Sequence, residues 1–479
     1  MSKKSQACIV HCIMTGLNNR NMTKNSDGEQ KRNALIAASM ASFLTPFMGS
    51  SINVALPVIG ADFKVDAILL SWIATSYLLA SAVFLVPFGR AADITGRKRI
   101  FILGIIIFTF SSFLCGTAGS VQLLIIYRIL QAAGSGMIFG TGMAILTSVF
   151  PAAERGKAFG LAVSAVYIGL SLGPSLGGLM TEYFGWRSIF FLVMVLGLLT
   201  TYIVIRKLKG EWKEAAGEKF DLAGSFLYGT ALVLIMYGFP KLNSLAGLIF
   251  IFPGIAFLVL FIYWELRADY PLLNLRLFRE NIVFRYSNLA ALINYSATFA
   301  VAFLLSFYLQ YSKGLSPKET GLILVVQPVI MALFSPSAGR LSDRIDPGKV
   351  ASIGMAVSTA GLVSLSLLSQ RTPVPVIILI LMVLGFGFAL FSSPNSNAIM
   401  SSVEKRDLGI ASGTLGTMRL VGQMFSMGIA MMFFSLLIGN VQIGPATTAP
   451  LIKSIKISFS IFAFLCLLGI FASLARRSK

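Results

Sequence analysis

Apolar residues fall along this chain in long unbroken runs, not in the alternating pattern of strands or the one-faced pattern of soluble helices. From Ala34 onward the runs recur about every 25 to 35 residues, each near the roughly 20 residues that carry a helix across the hydrocarbon of a bilayer. The pattern predicts spans over 34–55, 69–90, 100–118, 121–149, 157–181 and 188–206, then 221–240 and 245–265. A further six follow over 283–310, 317–338, 350–369, 374–400, 408–438 and 455–475. The grouping of six, two and six predicts an all-α polytopic membrane protein with about fourteen transmembrane helices. Its parts are a disordered cytoplasmic tail (1–32), a six-helix bundle (33–206), two inserted spans with flanking loops (207–282), a second bundle (283–475) and a short tail (476–479).

The two bundles read as copies related by a pseudo-two-fold axis. Between the second and third runs lies a dense knot of charge, Gly89-Arg90-Ala91-Ala92-Asp93-Ile94-Thr95-Gly96-Arg97-Lys98-Arg99. Its glycines suit a tight reversal, because glycine takes positive φ without steric cost. Gly339-Arg340-Leu341-Ser342-Asp343-Arg344 repeats the pattern 250 positions on, and Glu154-Arg155 returns as Glu404-Lys405 at the same offset. A shift held over so long a stretch marks a duplicated helical unit, which in membranes points to a secondary transporter.

Composition narrows the class further. The residues are 56% hydrophobic and only 12% charged, and the formal net charge is +20. In a soluble domain that charge would point to nucleic acid, but here the bases cluster in alternate loops beside spans, as membrane orientation requires. On the other side stand only Lys64, Arg187, Lys241, Lys313, Lys318, Arg371, Lys453 and Lys456, so both termini are expected in the cytoplasm. The expected location is the plasma membrane, with lipid and a small-molecule cargo as partners and no nucleic acid. The start is too polar for a signal peptide, and Met22 is an alternative first residue.

Chemistry of other kinds finds little support. His11 is the single histidine, and Cys8, His11 and Cys12 lack a fourth ligand nearby, so no metal site and no cofactor are expected. Neither a Gly-x-x-x-x-Gly-Lys-Ser/Thr loop nor an intramembrane nucleophile and base appears, which argues against an ATPase and against a membrane enzyme. A receptor or scaffold on the same fold would lack a reason for charges inside its spans.

Those charges are Arg128, in the fourth run, and Arg419, in the thirteenth. An arginine at mid-membrane must be paired or wet, so each should face the bundle interior. Gln131 shares the face of Arg128 and Gln423 that of Arg419, one turn along. The plainer reading is a structural arginine bonded to backbone carbonyls. Polar and aromatic candidates for a lining are Asn53, Tyr77, Tyr167, Asn294, Gln327, Asn395 and Asn397, with Trp72 and Phe391 as stacking surfaces. The fifth run carries Gly169, Gly173, Gly177 and Gly178 around Pro174, a deformable row read as a contact between bundle halves.

Taken in order, these motifs resemble the major facilitator superfamily. Gly89 to Arg99 is similar to its loop between the second and third spans, Arg128 with Gln131 to its fourth-span motif, and Gly169 to Gly178 to its antiporter motif. Asn53-Val54-Ala55-Leu56-Pro57 and Pro271-Leu272-Leu273-Asn274-Leu275-Arg276-Leu277-Phe278 resemble the fourteen-span drug:proton antiporter branch. The resemblance implies export of hydrophobic, often cationic compounds by alternating access in exchange for protons. It also implies a gating cluster of Gly89, Arg90, Asp93, Gly96 and Arg97 with its copy Gly339, Arg340, Asp343 and Arg344. Asn53, Tyr77, Arg128, Gln131 and Arg419 would belong to the cavity or proton route, and Pro174 with its glycines to the rearranging interface.

One departure stands out. Where that branch commonly carries an acid in the first span, this chain has Met48, and no acid falls deep within a predicted span. Three consequences are open: Asp62 or Glu182 reaches a wet vestibule; Asp93 or Asp343 couples protons at the inner gate; or the arginines serve an anionic or neutral cargo without the usual proton coupling.

Overall fold

The computed structural model describes residues 3–476 except 243, 274 and 405–407, with the backbone alone for 3–27, 152, 153, 156, 157 and 445. Among these residues fourteen helices are long and apolar enough to cross a membrane. They are α1 Gly28–Phe63, α2 Ala67–Thr95, α3 Arg97–Gly116, α4 Val121–Val149, α5 Ala158–Phe184, α6 Arg187–Lys207, α7 Leu222–Lys241 and α8 Leu245–Glu265. The second half holds α9 Ile282–Ser312, α10 Pro317–Ser342, α11 Pro347–Ser366, α12 Val374–Ser401, α13 Leu408–Leu437 and α14 Thr448–Leu474. Helices are what lipid demands of a spanning chain, because each bonds its N–H and C=O groups within itself.

All predicted spans are present, and several run longer than their apolar cores. α1 continues past Pro57, and its helical backbone reaches back to Lys3 where a disordered tail was expected. An anchored span supplies the nucleus that an isolated segment lacks, so further turns add at little cost. Other ends are set by caps. Asp66 accepts the Leu69 N–H at 2.8 Å, Asn281 that of Phe284 at 2.9 Å, and Ser316 with Glu319 closes a reciprocal box at the start of α10. The possible metal ligands Cys8, His11 and Cys12 have side chains outside the described residues.

The halves pack alike. α1 lies on α5, α2 on α4, and α3 on α4 and α6; in the second half α9 lies on α13, α10 on α12, and α11 on α12 and α14. The likeness extends to single crossings. A methyl at Gly104 would meet the Gly134 carbonyl at 3.0 Å, and 250 positions later one at Gly354 would meet the Gly387 carbonyl at 2.7 Å. Bare backbones at such crossings permit the close packing that holds helices together in lipid.

The inserted pair α7–α8 leans on the seam between the halves. The Tyr228 hydroxyl donates to the Ala82 carbonyl at 3.1 Å. Leu85 of α2, Tyr228 and Met236 of α7, Phe261 of α8, and Leu420 and Met424 of α13 form one buried cluster. Both ends of the span array lie on one face, here the terminal face. Hydrogen bonds between the halves lie toward the opposite face, where the Gln310 amide donates to the Val54 carbonyl at 2.9 Å and the Tyr311 hydroxyl to Pro57 at 3.2 Å. There too the Lys318 N–H donates to Glu182 at 3.0 Å. The molecule is therefore closed on that face.

Candidate functional site

On the terminal face the charged knot is built around Arg97, whose side chain is buried where the α2–α3 turn meets α4. Its Nε donates to Asp93 at 2.8 Å, while Nη1 reaches the Ala144 carbonyl at 3.1 Å, Ser148 at 2.7 Å and Glu214 at 2.6 Å. Gly96 makes the turn at φ +133°, a conformation that favours glycine. Glu211 fills the space beside it and accepts the Lys98 N–H at 2.8 Å, capping α3 from outside. Arg90 pairs with Glu218, and Gly89 lies against Gly140 of α4.

Glu211, Glu214 and Glu218 belong to the segment joining α6 to α7, and sequence reasoning passed over them. This strap is also stitched to the knot by backbone, Arg97 N–H to the Trp212 carbonyl at 2.9 Å and Ala215 N–H to that of Asp93 at 3.0 Å. The available signal was three acids at helix-like spacing facing three arginines. Among the described residues the second copy of the motif has no such strap. Arg340, Asp343 and Arg344 are exposed, and Asp343 accepts only a long bond from Asn397 at 3.3 Å among the described contacts. There Asp346 caps α11 itself, and buried Arg476 lies beside it. Burial pushes that guanidinium down to about 10, and Asp346 pulls it back up.

Deeper in the first half, Arg128, Gln131 and Tyr77 come together as one cluster. Arg128 is 1% exposed. Its Nη1 donates to Gln131 Oε1 at 2.6 Å and its Nε to the Ile73 carbonyl at 3.3 Å, while the Tyr77 ring centre lies 4.1 Å from the guanidinium. Gln131 donates on to Ser112 at 2.7 Å, and the Tyr77 hydroxyl to Ser135 at 2.9 Å. A charge at this depth costs about 2.5–3.5 kcal/mol. Acceptors and the ring face offset that cost, since no carboxylate pairs with Arg128 among the described residues. Asn53, buried in α1, has no described contact with this cluster.

Arg419 stands apart, at the seam. Its guanidinium lies 5.1 Å from the Tyr295 ring of α9, and Tyr167, on α5 in the other half, lies within electrostatic reach of its charge. Phe388 meets Tyr295 edge to face at 5.5 Å. Neighbouring Asn294 is fully buried with both amide atoms unpaired among the described residues. The other lining candidates scatter. Asn395 donates to the Ser287 carbonyl and Asn397 to Ser342, Phe391 is buried beneath Gly354, and Gln327 lends its carbonyl to the crossing at Gly385. Trp72 lines a separate cavity of about 430 Å³ at the opposite face with Tyr237 and Lys241.

The glycine row of α5 divides its duties. Gly169, Gly173 and Gly177 seat α1 of the same half, so they do not form the contact between halves expected of the whole row. Only its end crosses the seam, where Gly178 meets the Pro317 carbonyl and Gly321 of α10 meets that of Pro174. The acids offered for a vestibule are also engaged: Asp62 takes Arg187 at 2.9 Å and the Trp186 indole at 3.0 Å, and Glu182 takes Lys318. Glu265 departs from expectation most. An acid at the edge of a span, it is 4% exposed.

Two like bundles joined through an inserted pair, closed at one face and carrying arginines within their spans, define a membrane transporter of the two-bundle class. The chain belongs to the Major Facilitator Superfamily, whose family model matches residues 38–278 and 288–479. It is 33% identical to the riboflavin transporter RibZ of Clostridioides difficile over 92% of this chain and 96% of that one. It is 30% identical to the multidrug resistance protein Stp of Mycobacterium tuberculosis over 81% of this chain and 73% of that one. In fold it resembles a bacterial homologue of the human lysosomal transporter Spinster in an inward-facing, unoccupied state, with a TM-score of 0.69 at 15% identity, covering 94% of this chain and 99% of that one.

Proposed function

We propose that this transporter carries flat aromatic compounds of neutral or negative charge along the seam between its halves, by alternating access. Arg419 beside Tyr295 and Tyr167 carries the reading. A guanidinium flanked by phenols stacks a planar ring and bonds its carbonyl or anionic edge. Because Tyr167 belongs to one half and Arg419 with Tyr295 to the other, rocking the halves opens and closes the grip. No described carboxylate pairs with either intramembrane arginine, which runs against a cationic cargo. The likeness to RibZ supports riboflavin, a planar and carbonyl-edged molecule, as the first cargo to test.

In this reading the terminal face is cytoplasmic, because the basic loops lie there. The Arg97 knot guards that entrance, and the Pro174 end of α5 is the contact that parts when the opposite face opens. A second reading, export of hydrophobic drugs in exchange for protons, is favoured by the Gly169 to Gly178 motif and by the likeness to Stp. The Arg128 cluster would then lie on the proton route.

Riboflavin flux into proteoliposomes, with wild type and Arg419→Ala, tests the first reading. Wild type should exceed empty liposomes, and the variant should fall by about tenfold or more as the charge-assisted contact is lost. If wild type moves no riboflavin, yet protects cells against hydrophobic dyes in a way an uncoupler abolishes, the second reading replaces it.

A further inference from the structure

Glu265 ends α8 on the terminal face, against the start of α7, and its two oxygens have unlike surroundings. Oε2 accepts the Leu273 N–H at 3.0 Å, from the loop that leads into α9. Oε1 is buried and receives no hydrogen bond among the described residues. It faces Asp221: a methyl placed on Gly224 would strike both Asp221 Oδ2 and, at 2.7 Å, Glu265 Oε1. A buried carboxylate oxygen that faces a second carboxylate is repelled unless one of them carries a proton, whereas a shared proton turns the contact into a strong hydrogen bond.

The other neighbours settle which group takes the proton. Asp221 already accepts several donors, the Gly224 N–H at 2.8 Å and the Trp264 indole at 3.1 and 3.0 Å to its two oxygens. Glu265 has backbone donors on one side only. No described lysine or arginine pairs with either acid. Lys219 and Arg267, the nearest bases in sequence, are exposed, and Arg267 lies over the Tyr263 ring at 4.0 Å.

We propose that Glu265 and Asp221 form a proton-binding site in the inserted pair, with the proton on Glu265 Oε1 donated to Asp221 Oδ2. The proton comes from water at the terminal face and returns there. Its position gives it leverage. Leu272 and Leu273, in the loop that Glu265 holds, pack on the cluster that joins α2 of one half to α13 of the other. Losing the proton sets the two acids against each other and loosens the loop at its hold on both halves. Protons acting at another site could still drive transport if this site were absent, so its failure is separate from that of the transport readings.

Infrared difference spectra of the purified full-length protein, taken as pH falls through the neutral range, test the site. Wild type should gain the carbonyl stretch of a protonated carboxyl, and Glu265→Gln should lack it. In Asp221→Asn the band should appear about one pH unit lower, because a neighbouring negative charge is gone. Wild type with no such band, a band that persists in Glu265→Gln, or a band unmoved in Asp221→Asn overturns the proposal. The wild-type and Asp221→Asn spectra decide the matter even if Glu265→Gln fails to fold.

Discussion

Arg128 shows how a buried charge is tolerated with no carboxylate partner among the described residues. Its two hydrogen bonds and one ring face are all acceptors of positive charge, so replacing it leaves Gln131 Oε1 and the Ile73 carbonyl in apolar surroundings. Arg128→Met should lower stability by about 1–3 kcal/mol, read as an earlier thermal unfolding transition in detergent. Arg128→Lys should not restore it, since one ammonium does not reproduce the guanidinium fork. An unchanged transition in either variant would contradict this account. The Gln131 partner was legible from sequence, because three residues on a helix share a face. Tyr77 and Ser112 were not, since they arrive from other helices.

Arg97 makes the same point at the surface. It donates to Asp93, Glu214, Ser148 and a backbone carbonyl from a buried position, while the Glu214 side chain is 61% exposed. Arg97→Ala should therefore cost about 1–3 kcal/mol through lost buried bonds. Glu214→Ala should cost below about 1 kcal/mol, because water screens the exposed partner. Equal losses in parallel melts would show that the pair, and not the burial of Arg97, holds the knot.

At the scale of elements, α5 is shaped by what its glycines touch. Gly173 faces Ser50 and the Phe47 carbonyl of α1, whereas a methyl at Gly160 would meet nothing. Gly173→Ala should weaken or prevent assembly of the first half, and Gly160→Ala should be neutral or gain up to about 1 kcal/mol of helix propensity. Folded yield and melting of the two variants check this directly. The small-residue row was readable in sequence, but its partner was not, because a glycine face has no chemistry that names its neighbour. The strap between α6 and α7 was missed for a related reason. Read alone, its acids look like an ordinary solvated loop, and only the fold lays them across Arg90, Arg97 and Arg99.

For the molecule as a whole, the closed opposite face is the contact that the proposed rocking of the halves must part. Glu182 and Lys318 stand on opposite halves there, in direct contact. With Cys8 and Cys12 replaced by serine, Glu182→Cys and Lys318→Cys joined by a short bifunctional thiol reagent should arrest transport. The unbridged double variant should retain it. Continued flux after complete bridging, checked by mass spectrometry, would mean that this face need not open. The equal packing of the two halves was foreseen from the 250-residue offset, yet the environments of the two loop motifs diverge. The first is strapped, while Arg340, Asp343 and Arg344 of the second are exposed.

Span number, the six-two-six order, the duplication and the loop motifs were determined by sequence alone. A bilayer judges the chain locally: any window of about 20 apolar residues must bond its own backbone, whatever lies elsewhere. Tertiary structure alone decided that Glu265 is buried beside Asp221, that Tyr295 and, from the other half, Tyr167 come near Arg419, and that three glutamates of one loop seal the motif of another. Each of these depends on desolvation and charge at short range between residues far apart in the chain, and those distances exist only once the helices are packed.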